Sequence, residues 1–261
     1  MGNVEICVLA SGSAGNCIYV AGGGTRLLID AGLSLKETNA RLAQLGLAMD
    51  VIDAVLFTHD HSDHCLRADV FHRRHALPFY ANEGTAAGIE LVTKRSDLAW
   101  QIFETGSPFT VGGLRVEPFS VPHDAADAVG FAISDGRTRL GIATDLGMAT
   151  TLVRSKLADC DALILEANHD VEMLRQSGRP WSLIQRILGR QGHLSNEDAA
   201  DLLASVLGPR LQTVFLAHLS AECNTPALAE RAMREVLRRA GRDDIRLVQT
   251  SVKTISVRIE V

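Results

Sequence analysis

Aromatic side chains make up only 5% of the 261 residues, and the two Trp and two Tyr stand far apart at Trp100, Trp181, Tyr19 and Tyr80. No clustered platform for stacking successive bases is therefore visible, and no base specificity can be read. Cysteine is also sparse. Cys7, Cys17, Cys65, Cys160 and Cys223 form an odd set with no close pair, which argues against a disulfide framework and fits a reducing cytoplasm. No apolar run approaches the length of a membrane span, and no basic-then-apolar leader follows Met1, so neither an anchor nor a secretory signal is expected. Positive charge is not in excess: the formal net charge is −5, which does not advertise a nucleic-acid binder. The Ser-Gly-Ser-Ala-Gly-Asn turn at residues 11–16 lacks the Gly-Lys-Ser/Thr of a P-loop. It reads as a flexible hairpin, with an anion-holding nest of backbone N–H groups as the alternative.

What is present is a chain 46% hydrophobic and 22% charged, enough for one domain over residues 1–261 with a sizeable core. Short apolar runs predict strands at 5–9, 17–20, 26–29, 54–57, 79–81, 114–119, 131–134, 140–143, 162–165 and 213–217. Helical spacing predicts helices from Ser34 to the Gly46 stop, and over 67–75, 152–157, 183–188, 196–207 and 226–240. On the last helix Arg231, Arg234 and Arg238 share a face interrupted by Glu230 and Glu235. That pattern reads as a solvated surface, the alternative being a stripe that tracks DNA phosphates.

The chemistry begins in Thr58-His59-Asp60-His61-Ser62-Asp63-His64, directly after an apolar strand-like run. Three histidines and an aspartate so closely spaced do not serve a hydrophobic core. His59 and His61 alternate and can converge on one ion, while Asp63 and His64 can face a second. Imidazole nitrogen and carboxylate oxygen suit zinc, with manganese or iron also accommodated. Cys65 is read as a small buried side chain instead of a ligand. His72 and His75, three apart on a helix, match no motif and are read as surface or packing residues.

This segment resembles the HxHxDH signature of the metallo-β-lactamase fold superfamily, and the likeness continues in Ile-Asp30-Ala-Gly, Val-Pro-His123-Asp, Ala-Thr-Asp145-Leu-Gly and Leu-Ala-His218-Leu-Ser. The resemblance implies an α/β fold, a four-layered αβ/βα sandwich. It implies two divalent ions, zinc first, one held by His59, His61 and His123 and the other by Asp63, His64 and His218, with Asp145 bridging them. Asp30 would support the ligand loop without binding metal. Leu-Glu166-Ala-Asn-His and Gly-His193-Leu-Ser resemble segments of the tRNase Z branch, where such a pair works on the scissile phosphate. The catalytic set so implied is Asp63, Asp145, Glu166 and His193.

Over the whole chain the strongest resemblance is to the YycJ (WalJ)-like group, through Leu-Ala-Ser-Gly-Ser-Ala-Gly-Asn-Cys, Leu-Leu-Ile-Asp-Ala-Gly-Leu-Ser and Gly-His-Leu-Ser-Asn. It implies a binuclear phosphodiester hydrolase, a 5′-to-3′ DNA exonuclease whose nucleophile is a metal-bridging hydroxide. His123 and Asp145 are joined by strands with no room for a tRNA-gripping arm, which favours DNA or a small phosphodiester as partner. The same metal ligands also serve glyoxalase II-type thioester hydrolases. A third reading is a non-enzymatic, metal-binding regulator of cell-wall signalling. Oligomeric state leaves no trace in the sequence.

Overall fold

The computed structural model describes residues 4–261; Met1, where no leader is expected, lies outside them with Gly2 and Asn3. In chain order come β1 (Glu5–Ala10), β2 (Cys17–Gly22), β3 (Thr25–Ile29), α1 (Leu35–Gln44), β4 (Ala54–Leu56), α2 (Ser62–Cys65), α3 (Ala68–His75), β5 (Phe79–Ala81), α4 (Glu83–Thr93) and β6 (Trp100–Ile102). Then follow β7 (Phe109–Val111), β8 (Leu114–Ser120), β9 (Val129–Ser134), β10 (Arg139–Ala143), α5 (Thr151–Leu157), β11 (Ala162–Glu166), α6 (Val171–Arg175) and α7 (Trp181–Leu188). The chain closes with α8 (Asn196–Val206), β12 (Thr213–Ala217), α9 (Pro226–Arg239), β13 (Arg246–Gln249) and β14 (Ile259–Glu260).

Among the described residues these strands form two seven-stranded sheets, ordered β14-β1-β2-β3-β4-β5-β6 and β13-β12-β11-β10-β9-β8-β7. The alternation of side chains along a strand explains why two sheets need four layers. Ile6 and Val8 of β1 meet Ile164 of β11 and Phe215 of β12 in a core between the sheets. Their neighbours Cys7 and Leu9 point the other way, into a core with Leu42 of α1 and Phe71 of α3. Leu163 and Leu165 of β11 likewise turn outward onto Val153 of α5, Leu203 of α8 and Met233 of α9. The result is the αβ/βα sandwich that the resemblance implied. No helix among the described residues is long and apolar enough to cross a membrane.

Several elements depart from the sequence reading. The ligand segment is not all loop, because Ser62–Cys65 closes into a helical turn capped by His61. Helix α4 escapes periodicity, since its two glycines and threonines blur the apolar stripe; Asn82, whose side chain accepts from Thr85 N, is the cap that could have revealed it. The turn at residues 11–16 joins β1 to β2 and is held in place, not free. Ser11 Oγ accepts the His218 N–H at 2.7 Å, and Asn16 N donates to Asp63 O at 2.8 Å. It ties the two sheets' loops together.

Strands β10, β11 and β12 are parallel and in register, with Ala143 beside Leu165 and Glu166 beside Ala217. Their carboxyl ends therefore open at one edge, as do those of β3 and β4. Clefts at such ends are where open α/β sheets place their ligands.

Candidate metal centre

Each candidate side chain except His193, which lies between α7 and α8, stands at or just past a strand end. Asp30 follows β3, the run His59 to His64 follows β4, His123 follows β8, Asp145 follows β10, Glu166 ends β11 and His218 follows β12. Three of these ends turn through positive φ: Asp30 at 65°, Asp145 at 58° and His218 at 53°. Aspartate and histidine tolerate the left-handed region better than most residues, and such outliers gather where function fixes the backbone. Gly32 is required by close approach, since a Cβ there would lie 1.7 Å from the Asp63 carbonyl oxygen.

The side chains converge into two adjoining groups. His59, His61 and His123 offer donor atoms within 4.8 Å of one another, and so do Asp63, His64 and His218. His61 Nδ1 is 3.2 Å from His123 Nε2. Asp145 lies between the groups: its Oδ2 is 3.3 Å from His64 Nε2, its Oδ1 is 2.6 Å from His218 Nδ1, and it also clusters with His59. Glu166 and His193 adjoin them, with His193 Nδ1 2.7 Å from Glu166 Oε1 and 3.8 Å from Asp145 Oδ1. All nine sequence-predicted site residues thus come together. His72 and His75 belong to none of these groups, and Cys65 is buried with its thiol on the Asp60 carbonyl.

Hydrogen bonds behind the donors fix their orientation. Asp30 Oδ2 accepts from His64 Nδ1 at 2.8 Å while Asp30 Oδ1 accepts the Thr58 N–H at 2.8 Å. His123 Nδ1 bonds the Gly192 carbonyl at 3.0 Å. Glu166 Oε2 accepts the N–H groups of Leu146 and Leu194 at 3.0 and 3.1 Å. Asn16 lies outside the sequence-predicted set, yet its Nδ2 is 3.1 Å from Asp63 Oδ2 and 2.9 Å from His64 Nε2. The signal was available in the Ser-Gly-Ser-Ala-Gly-Asn turn, whose partners are far away in sequence.

A divalent cation fits this donor set. His59 Nε2, Asp145 Oδ2 and both ring nitrogens of His218 are buried without a hydrogen-bond partner, and such atoms are rare enough that each needs an explanation. The 2.6 Å approach of His218 to Asp145 is close but not aligned as a hydrogen bond. Coordination by nitrogen and oxygen accounts for His59 Nε2, Asp145 Oδ2 and one ring nitrogen of His218, since a neutral imidazole gives a cation a single nitrogen. The electrostatics agree. Burial would lower the pKa of His64, but the Asp145 and Asp30 carboxylates raise it to about 9. Burial opposes His218 too, and Asp145 and Glu166 still hold it well above its ordinary value. Desolvation would raise Asp145, yet His218 and His64 keep it well below the usual carboxylate range. The carboxylates demand positive charge here, and metal ions compete with protons for that place.

The Arg231, Arg234 and Arg238 face lies on α9, where Arg234 Nε is bonded to Glu230 Oε1 at 3.3 Å and its Nη1 to the Ile245 carbonyl at 3.3 Å. These partners favour a solvated face over a phosphate-tracking stripe.

Residues 25–219 match the family described as "Beta-lactamase superfamily domain". The chain is 40% identical over 239 residues to the exodeoxyribonuclease YycJ of Bacillus anthracis, covering 91% of this chain and 90% of that one. It is 36% identical over 260 residues to the exodeoxyribonuclease WalJ of Streptococcus pneumoniae, covering 97% of each. Among solved structures, the metallo-β-lactamase fold protein YhfI from Bacillus subtilis superposes with a TM-score of 0.74 at 16% identity, over the whole of both chains.

Proposed function

This chain belongs to the β-lactamase superfamily and is a metal-dependent hydrolase, and from that premise we propose that it is a binuclear phosphodiesterase, a cytoplasmic exonuclease that degrades DNA from the 5′ end. Residues 1–261 act as one hydrolase domain. His59, His61 and His123 would hold one cation, Asp63, His64 and His218 the other, and Asp145 would contact both. Zinc is the native metal of this reading, with manganese or iron able to replace it. Two such cations supply Lewis acidity and a bound water acidic enough to act as the nucleophile at neutral pH.

The observation that carries the phosphodiester reading is the Glu166–His193 pair beside both donor groups. Glu166 is fully buried and spends Oε2 on two backbone N–H groups, so Oε1 is fixed toward His193. Burial disfavours the charged imidazole, but the Glu166 carboxylate raises the His193 pKa. With Nδ1–H donated to Glu166, the Nε2–H remains to bond a phosphoryl oxygen or to protonate the leaving alkoxide. A thioester has no second anionic oxygen for such a donor. The link between His123 and Asp145 is the β9–β10 hairpin, which supports DNA over a substrate needing a long gripping arm. The five cysteines are free and buried, in keeping with a reducing cytoplasm.

The test is hydrolysis of end-labelled single- and double-stranded DNA, RNA, bis-p-nitrophenyl phosphate and S-lactoylglutathione in zinc and in manganese. Phosphodiester cleavage with DNA shortened from the 5′ end is expected. Release of lactate with no phosphodiester turnover would replace this reading with the thioester hydrolase.

A further inference from the structure

A cavity of about 460 Å³ opens beside His123, lined by Ser120, Val121, Pro122, Ala126, Leu152 and Gln191 among others. That volume lies within the roughly 300–1,000 Å³ of small-molecule pockets. Among the described residues no lysine or arginine lines it, and its one carboxylate, Asp127, already accepts the Thr105 hydroxyl at 3.2 Å. A phosphate finds no counter-charge there, so the cavity suits an uncharged group. Val121 is buried at its back, whereas Leu152 stands 44% exposed, an apolar face that gains by being covered. The polar groups on the wall are neutral too. Neither the Ser120 hydroxyl nor the Gln191 carboxamide has a protein partner among the described residues. Apolar walls with a few free, uncharged hydrogen-bonding groups are the surroundings a nucleobase needs, its faces being apolar and its edges polar.

The cavity is preformed and reaches the candidate centre. Its wall is fixed at three points: the Asp124 N–H donates to the Gln191 carbonyl at 3.0 Å, the Gly147 N–H to the Pro122 carbonyl at 2.8 Å, and the Ala126 N–H to Asp60 Oδ1 at 3.1 Å. His123 belongs both to that wall and to the first donor group, so a phosphate held at the centre lies one side chain from the opening. His193, which would meet the departing oxygen, is not part of the wall. The 5′-terminal nucleotide therefore leaves on the far side, and the nucleotide that keeps the phosphate faces the cavity. We propose that this neutral cavity receives the unpaired base of the nucleotide on the 3′ side of the scissile phosphate. The inference rests on the phosphodiesterase reading above. The base turns out of its stack and covers Leu152 and Pro122, and its edge meets Gln191. A carboxamide both donates and accepts, so the site holds any of the four bases without selecting one.

The experiment measures single-turnover release of the 5′-terminal nucleotide from single strands that are intact or carry one abasic residue at the first, second or third position, alongside hydrolysis of bis-p-nitrophenyl phosphate. With the wild-type protein an abasic second position should slow release about 5- to 50-fold, the range for removing one base from its contacts, and the other two positions should matter little. Exchanging the four bases at the second position should alter the rate far less than removing the base. In Leu152→Ser and in the Leu152→Ser/Gln191→Ala variant the intact-to-abasic ratio should fall toward one. It is measured within a single preparation, so partial unfolding cancels. Leu152→Ser alone guards against indirect damage, because Leu152 is exposed and belongs to none of the metal-binding groups. A penalty at no position, a penalty at the first or third position instead, an effect of base exchange as large as that of base removal, or a ratio retained in both variants would overturn the subsite while leaving the hydrolase in place. Turnover of bis-p-nitrophenyl phosphate with no strand cleaved would overturn it as well. Turnover of no phosphodiester would overturn the proposed function itself.

Discussion

Replacing His193 by alanine separates the two groups that otherwise act together at the phosphate. The structure shows what the substitution leaves behind. Glu166 Oε2 keeps the N–H groups of Leu146 and Leu194, and Oε1 remains 3.3 Å from His218 Nδ1, so the buried carboxylate is not abandoned. The stability cost should then not exceed that of one charge-assisted hydrogen bond, about 1.5–3 kcal/mol, and the protein should remain folded. Neither His59, His61 and His123 nor Asp63, His64 and His218 includes the lost imidazole, so both metals should be retained. Activity on DNA should nevertheless drop about 10²- to 10⁴-fold, as for a positioned acid or an oxyanion donor. That range corresponds to about 2.7–5.4 kcal/mol of transition-state stabilisation. Glu166→Gln should fall in the same direction, and the double variant should lose little beyond the worse single one, because groups acting as a unit are not additive. Steady-state rates on DNA and on a p-nitrophenyl ester, with metal content by elemental analysis, provide the assay. If the imidazole chiefly protonates the leaving group, the p-nitrophenyl ester should suffer far less than DNA; if it chiefly binds the oxyanion, both should suffer. Loss of metal in His193→Ala, for which its clustering with Asp145, Glu166 and His218 gives a geometric route, or full additivity, would refute the reasoning.

Asp145→Asn keeps a residue that tolerates the left-handed backbone but removes the charge between the two groups; bound metal and activity should both fall, and undiminished metal by elemental analysis would end the bridging assignment. Asp30→Asn replaces the acceptor of His64 Nδ1, and metal affinity should weaken about 10- to 100-fold in competition with a chromophoric chelator, an unchanged affinity counting against the supporting role. Far from the site, burial would raise the Glu117 carboxyl, but Arg139, Arg115 and Lys156 hold it at about 2 against its ordinary 4.5. Its stabilising contribution is therefore complete above about pH 4.5 and is lost as pH falls toward 2, with an upper limit of about 3 kcal/mol. Glu117→Gln should lower stability at neutral pH and flatten the acid limb of a urea-unfolding series, and a limb of unchanged steepness would contradict the linkage.

Which groups could do chemistry, and on what kind of scaffold they stand, is legible in the order of residues alone. His59 to His64, His123, Asp145, Glu166 and His218 each end or follow a buried apolar run, and a strand buried on both faces leaves a mark in sequence that no neighbour is needed to interpret. Elements without such a mark stayed hidden. Helix α4 carries Gly88 because a Cβ there would lie 2.6 Å from Asp60 Cβ, a tertiary demand that breaks the helical pattern. The edge strands β6, β7, β13 and β14 are largely exposed or half-buried, so they carry no continuous buried apolar run. How the donors meet depends on the packed fold. Pairing β10, β11 and β12 in parallel register lines up their carboxyl ends, and left-handed turns at Asp145 and His218 aim those side chains across the cleft at ligands from the other sheet. The roles of Ser11 and Asn16, and the joining of Leu152 and Gln191 in one wall, depend on contacts between residues distant in the chain. Residue type is local and can be read in order, whereas convergence is produced by two packed sheets and has no local signature.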